Sequence, residues 1–258
     1  MRVVRMTTGS DPRYAVEQEN SSRLVVLKGD PLYQQVEPSG QFVDYEDVRL
    51  LSPVIPRSKV VAVAKNYHAH AEEMGGEVPQ RPMLFFKPNT AVIGPDDPIV
   101  LPAWSDEVHY EAELAVVIKT LCRDVKASDY RDVVFGYTVA NDVSARDAQR
   151  NDGQWARAKG FDTSCPLGPA IVVDPDFLET DRQITTHVNG ELVQSGSTRD
   201  MVFKVPELIE YVSAAFTLLP GDVILTGTPM GVGPIEAGDR VECSVEGIGT
   251  LANPVVRR

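Results

Sequence analysis

Two glutamates at the start of an apolar segment are the first residues with spacing that could do chemistry. Glu111 and Glu113 precede the run Leu114–Ile118, whose apolar and β-branched residues predict a buried strand. Because side chains of a strand alternate between its faces, the two carboxylates would point the same way. Adjacent carboxylates repel unless positive charge lies between them, and a hard divalent cation would supply it. The alternative is a strand end with two solvated acids, and the spacing alone leaves both open.

Two later segments could add groups to this pair. The apolar run 133–140 predicts another strand, and it ends at Asn141 and Asp142, so Asp142 could bring a third carboxylate to the glutamates. Polar donors fill the turn or helix that follows, over residues 143–150. The mixed segment 154–162 then offers Lys159.

A histidine and a glutamate form a second candidate pair. Residues 67–74 are helix formers that stop at Gly75 and Gly76, which predicts a short helix. His70 and Glu73 are three residues apart and would share one face of it. A carboxylate beside an imidazole orients it and raises its basicity, as a general base requires. An ordinary exposed pair on a helix is the alternative.

The glycine-rich segment 226–234 is a third candidate. It lacks the Gly-Lys-Ser/Thr ending of a phosphate-binding loop. Its backbone N–H groups and the hydroxyls of Thr226 or Thr228 could instead hold a small carboxylate. A tight β-turn without a ligand is the alternative.

The elements that must position these residues are mostly short strands. The chain has 258 residues with 19 Gly and 19 Pro, a composition that favours many turns over long helices. Asn189-Gly190 predicts a hairpin with a type I′ turn. The clearest amphipathic helix is predicted over 205–212. Residues 1–56 carry only short predicted strands and no recognisable chemistry, so we predict a small β-rich N-terminal domain there and a catalytic domain over 57–258.

Composition and net charge limit the classes of partner and the cellular compartment that we expect. The formal net charge of −12 argues against binding to nucleic acid or to an anionic membrane, because both need basic surfaces. No apolar run approaches the length of a membrane span. The three cysteines show no CxxC spacing, which fits a reducing compartment. We therefore expect a soluble cytoplasmic protein, in which an anionic substrate meets a local positive site.

Taken together and in order, these segments resemble the fumarylacetoacetate hydrolase superfamily over roughly residue 57 to the end. The matching segments are Asn66-Tyr67 with His70 and Glu73, Phe85-Phe86-Lys87-Pro88, Tyr110-Glu111-Ala112-Glu113-Leu114, Gly136-Tyr137 to Asn141-Asp142, Ala145-Arg146-Asp147 with Gln149, Lys159-Gly160-Phe161-Asp162, Pro166-Leu167-Gly168-Pro169 and Thr226-Gly227-Thr228-Pro229 with Gly231-Val232-Gly233. One departure is Ala64-Lys65 before Asn66, where the family often has Gly-Leu or Gly-Arg.

The resemblance implies a fold, an assembly and a set of site residues. The fold would be α+β and β-rich, a mixed β-sandwich roll with few flanking helices, assembled as a homodimer. The implied roles are metal ligands for Mg²⁺ or Mn²⁺ at Glu111, Glu113 and Asp142, catalytic residues at His70, Glu73 and Lys159, and substrate contacts at Lys65, Arg146, Gln149 and Thr228. His70 and Glu73 would lie on a short helix that can act as a lid.

The reaction that these groups favour is cleavage of the C3–C4 bond of a small 2-oxo acid. A divalent cation can stabilise, as a Lewis acid, the enolate that this cleavage leaves, and Lys159 adds a second positive charge. The similarity to compact bacterial members of the family favours decarboxylation of oxaloacetate to pyruvate and CO₂. Hydrolysis of acylpyruvates or fumarylacetoacetate-like diketo acids, in which His70 activates water, is an alternative, as is isomerisation of 2-hydroxyhepta-2,4-diene-1,7-dioate. A non-catalytic oxo-acid-binding protein on the same fold is a further alternative. It would be favoured if the His70–Glu73 pair or a metal carboxylate were missing, and none is.

Overall fold

The structure, a computed structural model, describes residues 1–9, 11–18 and 21–257, and within them it has the predicted α+β, β-rich character. The strands of the described residues are β1 Arg2–Thr7, β2 Arg13–Glu17, β3 Arg23–Leu27, β4 Pro38–Asp44, β5 Arg49–Leu51, β6 Val60–Ala64, β7 Met83–Lys87, β8 Val92–Ile93, β9 Ile99–Leu101, β10 Val108–His109, β11 Ala112–Ile118, β12 Val134–Asn141, β13 Ser144–Ala145, β14 Cys165–Val172, β15 Gln183–Val188, β16 Glu191–Ser197, β17 Val223–Leu225, β18 Arg240–Val245 and β19 Gly249–Arg257. The α-helices are α1 His68–Glu73, α2 Tyr130–Val133, α3 Arg146–Asn151, α4 Ala156–Gly160 and α5 Val205–Ala215.

A large mixed sheet forms the centre of the fold. Its strands run in the order β4-β3-β2-β1-β14-β12-β11-β17-β6-β7, with β5 paired to β1 and β8 paired to β14. Strand β11 lies in the middle, antiparallel to both β12 and β17. Every residue of β11 is buried, as expected for a continuous apolar strand covered on both faces.

Alternation along β11 assigns its two faces to two cores. Leu114 and Val116 join the larger core, which also contains Ile184 and Val245 of a second sheet, ordered β16-β15-β18-β19-β9, and the buried face of α5. Ala115 and Val117 join a second core on the opposite face. Glu113 has the parity of the second set, so its side chain belongs to that side of the sheet.

The N-terminal strands continue the central sheet. Strand β1 pairs antiparallel with β14, with Arg2 opposite Val172 and Val3 opposite Ile171. Val3 is fully buried in the same core as Ala115 and Val117 of β11. Beyond β1 the sheet extends through β2 and β3 to β4, where Phe42 is 47% exposed. The division into domains 1–56 and 57–258 stays a prediction, but β1 shares a core with the remainder of the chain.

Local signals placed most elements close to their observed bounds. The hairpin at Asn189-Gly190 is confirmed: both residues have positive φ, +53° and +84°, as a type I′ turn requires. The predicted helix over 67–74 is α1, which begins one residue after Tyr67. The helix predicted over 205–212 extends to Ala215. Glu111 lies just before β11 and not within it.

Within the described part of the chain, no helix combines the length and the apolar character needed to cross a membrane.

A matched pair of substitutions tests whether β1 folds together with the rest. Val3→Ser should lower the free energy of unfolding by about 2–3 kcal/mol, because it leaves a small cavity and buries a hydroxyl. Phe42→Ser, on the outer strand, loses only a solvent-exposed contact with the Arg23 guanidinium and should change it by about 1 kcal/mol or less. Both tryptophans, Trp104 and Trp155, lie outside residues 1–56, so their fluorescence in urea reports on the remainder. An unchanged tryptophan transition in Val3→Ser would contradict the shared core.

Candidate active site

The register of β11 and β12 brings the three predicted carboxylates together. Ala112 lies opposite Asn141, and beyond this pair the N–H of Asp142 donates to the Glu111 carbonyl at 2.9 Å. The Asn141 side chain accepts a hydrogen bond from the N–H of Glu111 at 2.9 Å. One ligand oxygen from each of Glu111, Glu113 and Asp142 lies within 4.8 Å of the others, and all three residues are buried. The alternative of two solvated acids is therefore wrong.

The glycine-rich loop 226–234 binds carboxylates of the protein itself. The N–H of Gly227 donates to Oε2 of Glu113 at 2.6 Å. Gly227 has a φ of +92°, and a Cβ there would lie 2.8 Å from the Cβ of Asn66, so only glycine suits this turn. The N–H of Gly231 donates to Oε1 of Glu73 at 2.9 Å. The sequence predicted that this loop would hold a small carboxylate ligand through its N–H groups or the Thr226 and Thr228 hydroxyls. In the structure these N–H groups bind side chains of the protein itself, and both hydroxyls donate to backbone carbonyls, of Leu114 and Ala112.

Three buried cations face the three carboxylates. The Lys159 ammonium, on α4, donates to Glu111 Oε2 and to Asp142 Oδ2, each at 2.7 Å. Lys87, the last residue of β7, donates to Asp142 Oδ1 at 2.6 Å and to the carbonyl of Lys159. Arg146, at the start of α3, places Nη2 2.6 Å from Glu111 Oε1. At neutral pH the three cations formally balance the three carboxylates.

Burial and charge move the pKa values of neighbouring groups in opposite directions. Burial, with Asp142 and Glu111 close by, raises the pKa of Glu113 well above its usual range. Burial also disfavours ionised Glu111, but the positive charges of Lys159 and Arg146 outweigh it and lower the pKa of Glu111. Burial likewise disfavours the Lys159 ammonium, yet Asp142 and Glu111 raise its pKa. Glu113 is therefore the carboxylate with the least positive charge around it.

Arg146 keeps one donor free for a ligand. Its Nη1 donates to Gln149 Oε1 at 2.9 Å, which fixes the plane of the guanidinium. Its Nη2 lies in ion-pair contact with Glu111 Oε1 at 2.6 Å. The buried Nε–H has no hydrogen-bond partner among the described residues. A buried donor without a partner is costly, and an anionic ligand in the adjoining cavity would satisfy it.

The histidine–glutamate pair is formed and anchored. His70 Nδ1 lies 3.0 Å from Glu73 Oε2 on α1, so the predicted pair exists. Gly231, whose N–H holds the other oxygen of Glu73, accepts a hydrogen bond at its carbonyl from the Tyr110 hydroxyl at 2.9 Å. Tyr110 directly precedes Glu111, so one residue of the loop connects the helix of His70 to the segment that carries the carboxylates.

Gln194 of β16 joins the loop to the same strand. Its Nε2 donates to Thr228 Oγ1 and to the carbonyl of Pro229, both at 2.7 Å, while its Oε1 accepts from the N–H of Ala112 at 3.2 Å. Thr228 in turn donates its hydroxyl hydrogen to the Ala112 carbonyl at 2.8 Å. Thr228 can therefore offer a ligand its methyl group or a lone pair, but no proton.

All ten predicted site residues except Glu73 line one cavity of about 180 Å³, and Glu73 is bonded to His70, which lines it. Pockets for drug-sized ligands occupy roughly 300–1,000 Å³, so this volume suits a small molecule. Phe85 and Trp155 supply an apolar wall, packed edge to face with ring centroids 5.6 Å apart. Lys65, which lines the cavity, has a φ of +53°, a conformation that costs a non-glycine residue about 1–3 kcal/mol.

The donor set fits a hard divalent cation. Three converging carboxylates offer only oxygen ligands, which Mg²⁺ and Mn²⁺ prefer. Glu113 has no ion pair among the described residues, and burial with Asp142 and Glu111 close by raises its pKa, so an added cation would stabilise its ionised form. Glu111, Glu113 and Asp142 would hold the ion.

Sequence reasoning did not assign a role to Lys87, Gln194 or Tyr110. Lys87 entered the sequence analysis only as part of the matching segment Phe85-Phe86-Lys87-Pro88; its burial, which demands a charge partner, is seen only in the structure. Tyr110 and Gln194 act through hydrogen bonds to backbone groups distant in sequence, and no local pattern marks such contacts.

Comparison with known proteins places the chain in a family. Residues 59–256 match the family model described as fumarylacetoacetate (FAA) hydrolase C-terminal, and residues 1–53 match one described as Rv2993c-like, N-terminal. The protein belongs to the fumarylacetoacetate hydrolase family, which confirms the resemblance seen in its motifs.

Its relatives include named enzymes. Protein Rv2993c of Mycobacterium tuberculosis is 56% identical over 213 residues, which cover 82% of this chain and 80% of the relative. The human mitochondrial oxaloacetate tautomerase FAHD2A is 47% identical, with 81% of this chain and 70% of the relative covered. Among solved structures, 2-hydroxyhepta-2,4-diene-1,7-dioate isomerase from Mycobacterium marinum superposes with a TM-score of 0.90 at 47% identity, over 100% of this chain and 99% of that one.

A second solved structure contains a metal. Maleylpyruvate hydrolase from Sphingobium sp. SYK-6, in complex with manganese (II) ion and pyruvate, superposes with a TM-score of 0.81 at 32% identity. The match covers 100% of this chain and 99% of that one.

A double-mutant cycle tests the charge balance of the buried cluster in protein kept free of metal by EDTA. Lys87→Met should lower the free energy of unfolding by about 3–5 kcal/mol, because it leaves Asp142 buried with one cation fewer. Adding Asp142→Asn should recover at least about 1 kcal/mol of that loss. Lys28→Met, which breaks the exposed pair with Glu37, is the control and should change little. Additive losses in the cycle, measured by urea unfolding, would contradict the coupling.

Proposed function

We propose that the protein is a metal-dependent enzyme that acts on oxaloacetate and transfers a proton between C3 and the keto oxygen on C2. The observation that carries this proposal is the His70–Glu73 pair, which shares one small cavity with three converging carboxylates. The relatives named as an oxaloacetate tautomerase and as a dienedioate isomerase support it, because both names describe movement of a proton within a small diacid.

The cationic residues of the cavity would bind and polarise such a substrate. When held by Glu111, Glu113 and Asp142, Mg²⁺ or Mn²⁺ would act as a Lewis acid toward a 2-oxo acid. The Lys159 ammonium lies between two of these carboxylates and adds fixed positive charge where negative charge develops. Arg146, oriented by Gln149 and paired with Glu111, offers its free Nε–H group to a substrate carboxylate.

His70 is the residue placed to move the proton. Its Nδ1 is engaged by Glu73, which sets the tautomer and orientation of the ring. The other nitrogen, Nε2, has no hydrogen-bond partner among the described residues and is available to the cavity that His70 lines. Glu73 itself is held by the Gly231 N–H, so the base is preorganised before a substrate arrives.

Decarboxylation of oxaloacetate, the reaction favoured by the motifs, is the second candidate. It shares the negative charge that develops at the keto oxygen but needs no base, because the C4 carboxylate leaves as CO₂. The positive charge of Lys159 and Arg146 beside the carboxylates favours it. Hydrolysis of acylpyruvates and isomerisation of 2-hydroxyhepta-2,4-diene-1,7-dioate use the same groups with His70 acting on water or on a more distant carbon.

Two further expectations belong to this proposal. We expect the enzyme to be a homodimer in the cytoplasm, with a small anionic oxo acid as its partner. The formal net charge of −12 supports the expectation that it binds neither nucleic acid nor anionic membrane.

Removal of one ligand tests the metal site. Glu113→Gln should weaken Mn²⁺ binding by more than about a hundredfold, because it removes a charge from the coordinating set while conserving its shape. Binding is measured by calorimetry, and turnover of oxaloacetate should be lost in parallel. Glu210→Gln, on the exposed face of α5, is the control. Full turnover by EDTA-treated protein would refute metal dependence.

Substitution of the base separates the candidate reactions. His70→Ala should slow the keto–enol interconversion of oxaloacetate, followed by enol absorbance, by about 10²–10⁴-fold. Release of CO₂ should persist if it needs no base. His68→Ala, an exposed residue of the same helix, is the matched control. Acetylpyruvate and a hydroxydienedioate complete the panel, assayed with Mg²⁺ or Mn²⁺. Unchanged interconversion in His70→Ala would rule out the proton-transfer role.

A further inference from the structure

Lys65 is a positive charge in the cavity that the carboxylate cluster does not use. The charge of the three carboxylates is already formally balanced by three other cations, Lys87, Lys159 and Arg146. The Lys65 ammonium forms no ion pair or hydrogen bond with any residue that the structure describes, although its side chain lines the cavity. A half-buried ammonium without a partner is available to an anion that enters there.

The backbone holds Lys65 where it can meet such an anion. The residue directly follows β6 and has a φ of +53°, which a non-glycine side chain rarely adopts. Backbone strain of this kind is typical of functional positions. The turn leads at once into Asn66, whose fully buried side chain donates to the carbonyls of Thr226 and Phe203, so the position is tightly held.

The ammonium lies against the far end of the helix that carries the base. A Cβ placed on Gly76 would lie 2.6 Å from Lys65 Nζ, so the absence of a side chain at Gly76 makes room for the ammonium. Lys65 precedes α1 and Gly76 follows it. The chain of Lys65 thus enters α1, and its ammonium reaches the glycine that follows the helix of His70.

We propose that Lys65 determines specificity for dianionic 2-oxo acids by binding the carboxylate remote from the keto group. The inference rests on the proposed function, since it assigns the second carboxylate of the same substrate. Arg146, whose buried Nε–H has no partner among the described residues, and Lys65 both line the cavity, so a diacid can present one carboxylate to each. A monoanion of equal length leaves Lys65 unpaired.

The test compares two stable ligands of equal chain length in Mn²⁺-loaded protein. Malate and 2-hydroxybutyrate differ only in a remote carboxylate, which is a methyl group in the second, and calorimetry gives the Kd of each. The natural protein should bind malate about tenfold to a hundredfold more tightly, the gain of a hydrogen-bonded charge pair. Lys65→Met should lose this preference through weaker malate binding, with 2-hydroxybutyrate affinity changed less than twofold. Lys65→Arg should retain it.

Gly76→Ala supplies a second, independent variant. Its new Cβ would displace the flexible end of Lys65 while leaving the backbone undisturbed, because Gly76 does not have a positive φ. It should reduce the preference for malate without altering the affinity for 2-hydroxybutyrate. Lys126→Met, an exposed lysine that does not line the cavity, controls for the loss of one surface charge.

The outcomes separate the inference from the proposed function. Equal weakening of both ligands in Lys65→Met, an unchanged preference in that variant, or no preference in the natural protein would each overturn the inference. A preference that depends on Lys65 supports it even if oxaloacetate is not turned over, and in that case only the proposed function fails.

Discussion

The structure depends on the neutralisation of three buried carboxylates by three buried cations. A buried, unpaired charge is expensive, whereas charges arranged in contact satisfy one another. Glu113 lies in β11, Glu111 directly precedes that strand and Asp142 directly follows β12, and the cations come from α3, α4 and the end of β7. Each of these elements is consequently held to the same point of the central sheet. The cluster can stabilise the fold without a ligand, because side chains of the protein alone formally balance its charge.

The loop 226–234 forms hydrogen bonds both to the carboxylate cluster and to the histidine–glutamate pair. Its peptide groups bind Glu113 at one end and Glu73 near the other, while Tyr110 and Gln194 bind it from the side of β11. Gly231 has a φ of +99°, and a Cβ there would lie 2.7 Å from the Val193 carbonyl. Backbone hydrogen bonds of the loop to Glu113 and Glu73 therefore help to set the distance between His70 and the carboxylates.

Local patterns in the sequence predicted those parts of the site that arise from local rules. Alternation along a strand placed Glu111 and Glu113 on one side, helical spacing paired His70 with Glu73, and the Asn189-Gly190 turn followed from its φ preference. The pairing of β11 with β12, which brings Asp142 to the glutamates, is a long-range contact that only the family resemblance implied. Gln194 escaped prediction because its partners are backbone atoms remote in sequence. The joining of β1 to β14 escaped for the same reason.

The outer strand β4 shows how the extended sheet ends. Pro38 has no N–H to donate, Gly40 bends the strand with a φ of +84°, and the register shifts opposite Val25 and Leu27. Irregular edges of this kind are poor templates for another chain. The extended sheet therefore ends in an irregular edge that disfavours fibril-like stacking with other chains, although Phe42 on this edge is 47% exposed.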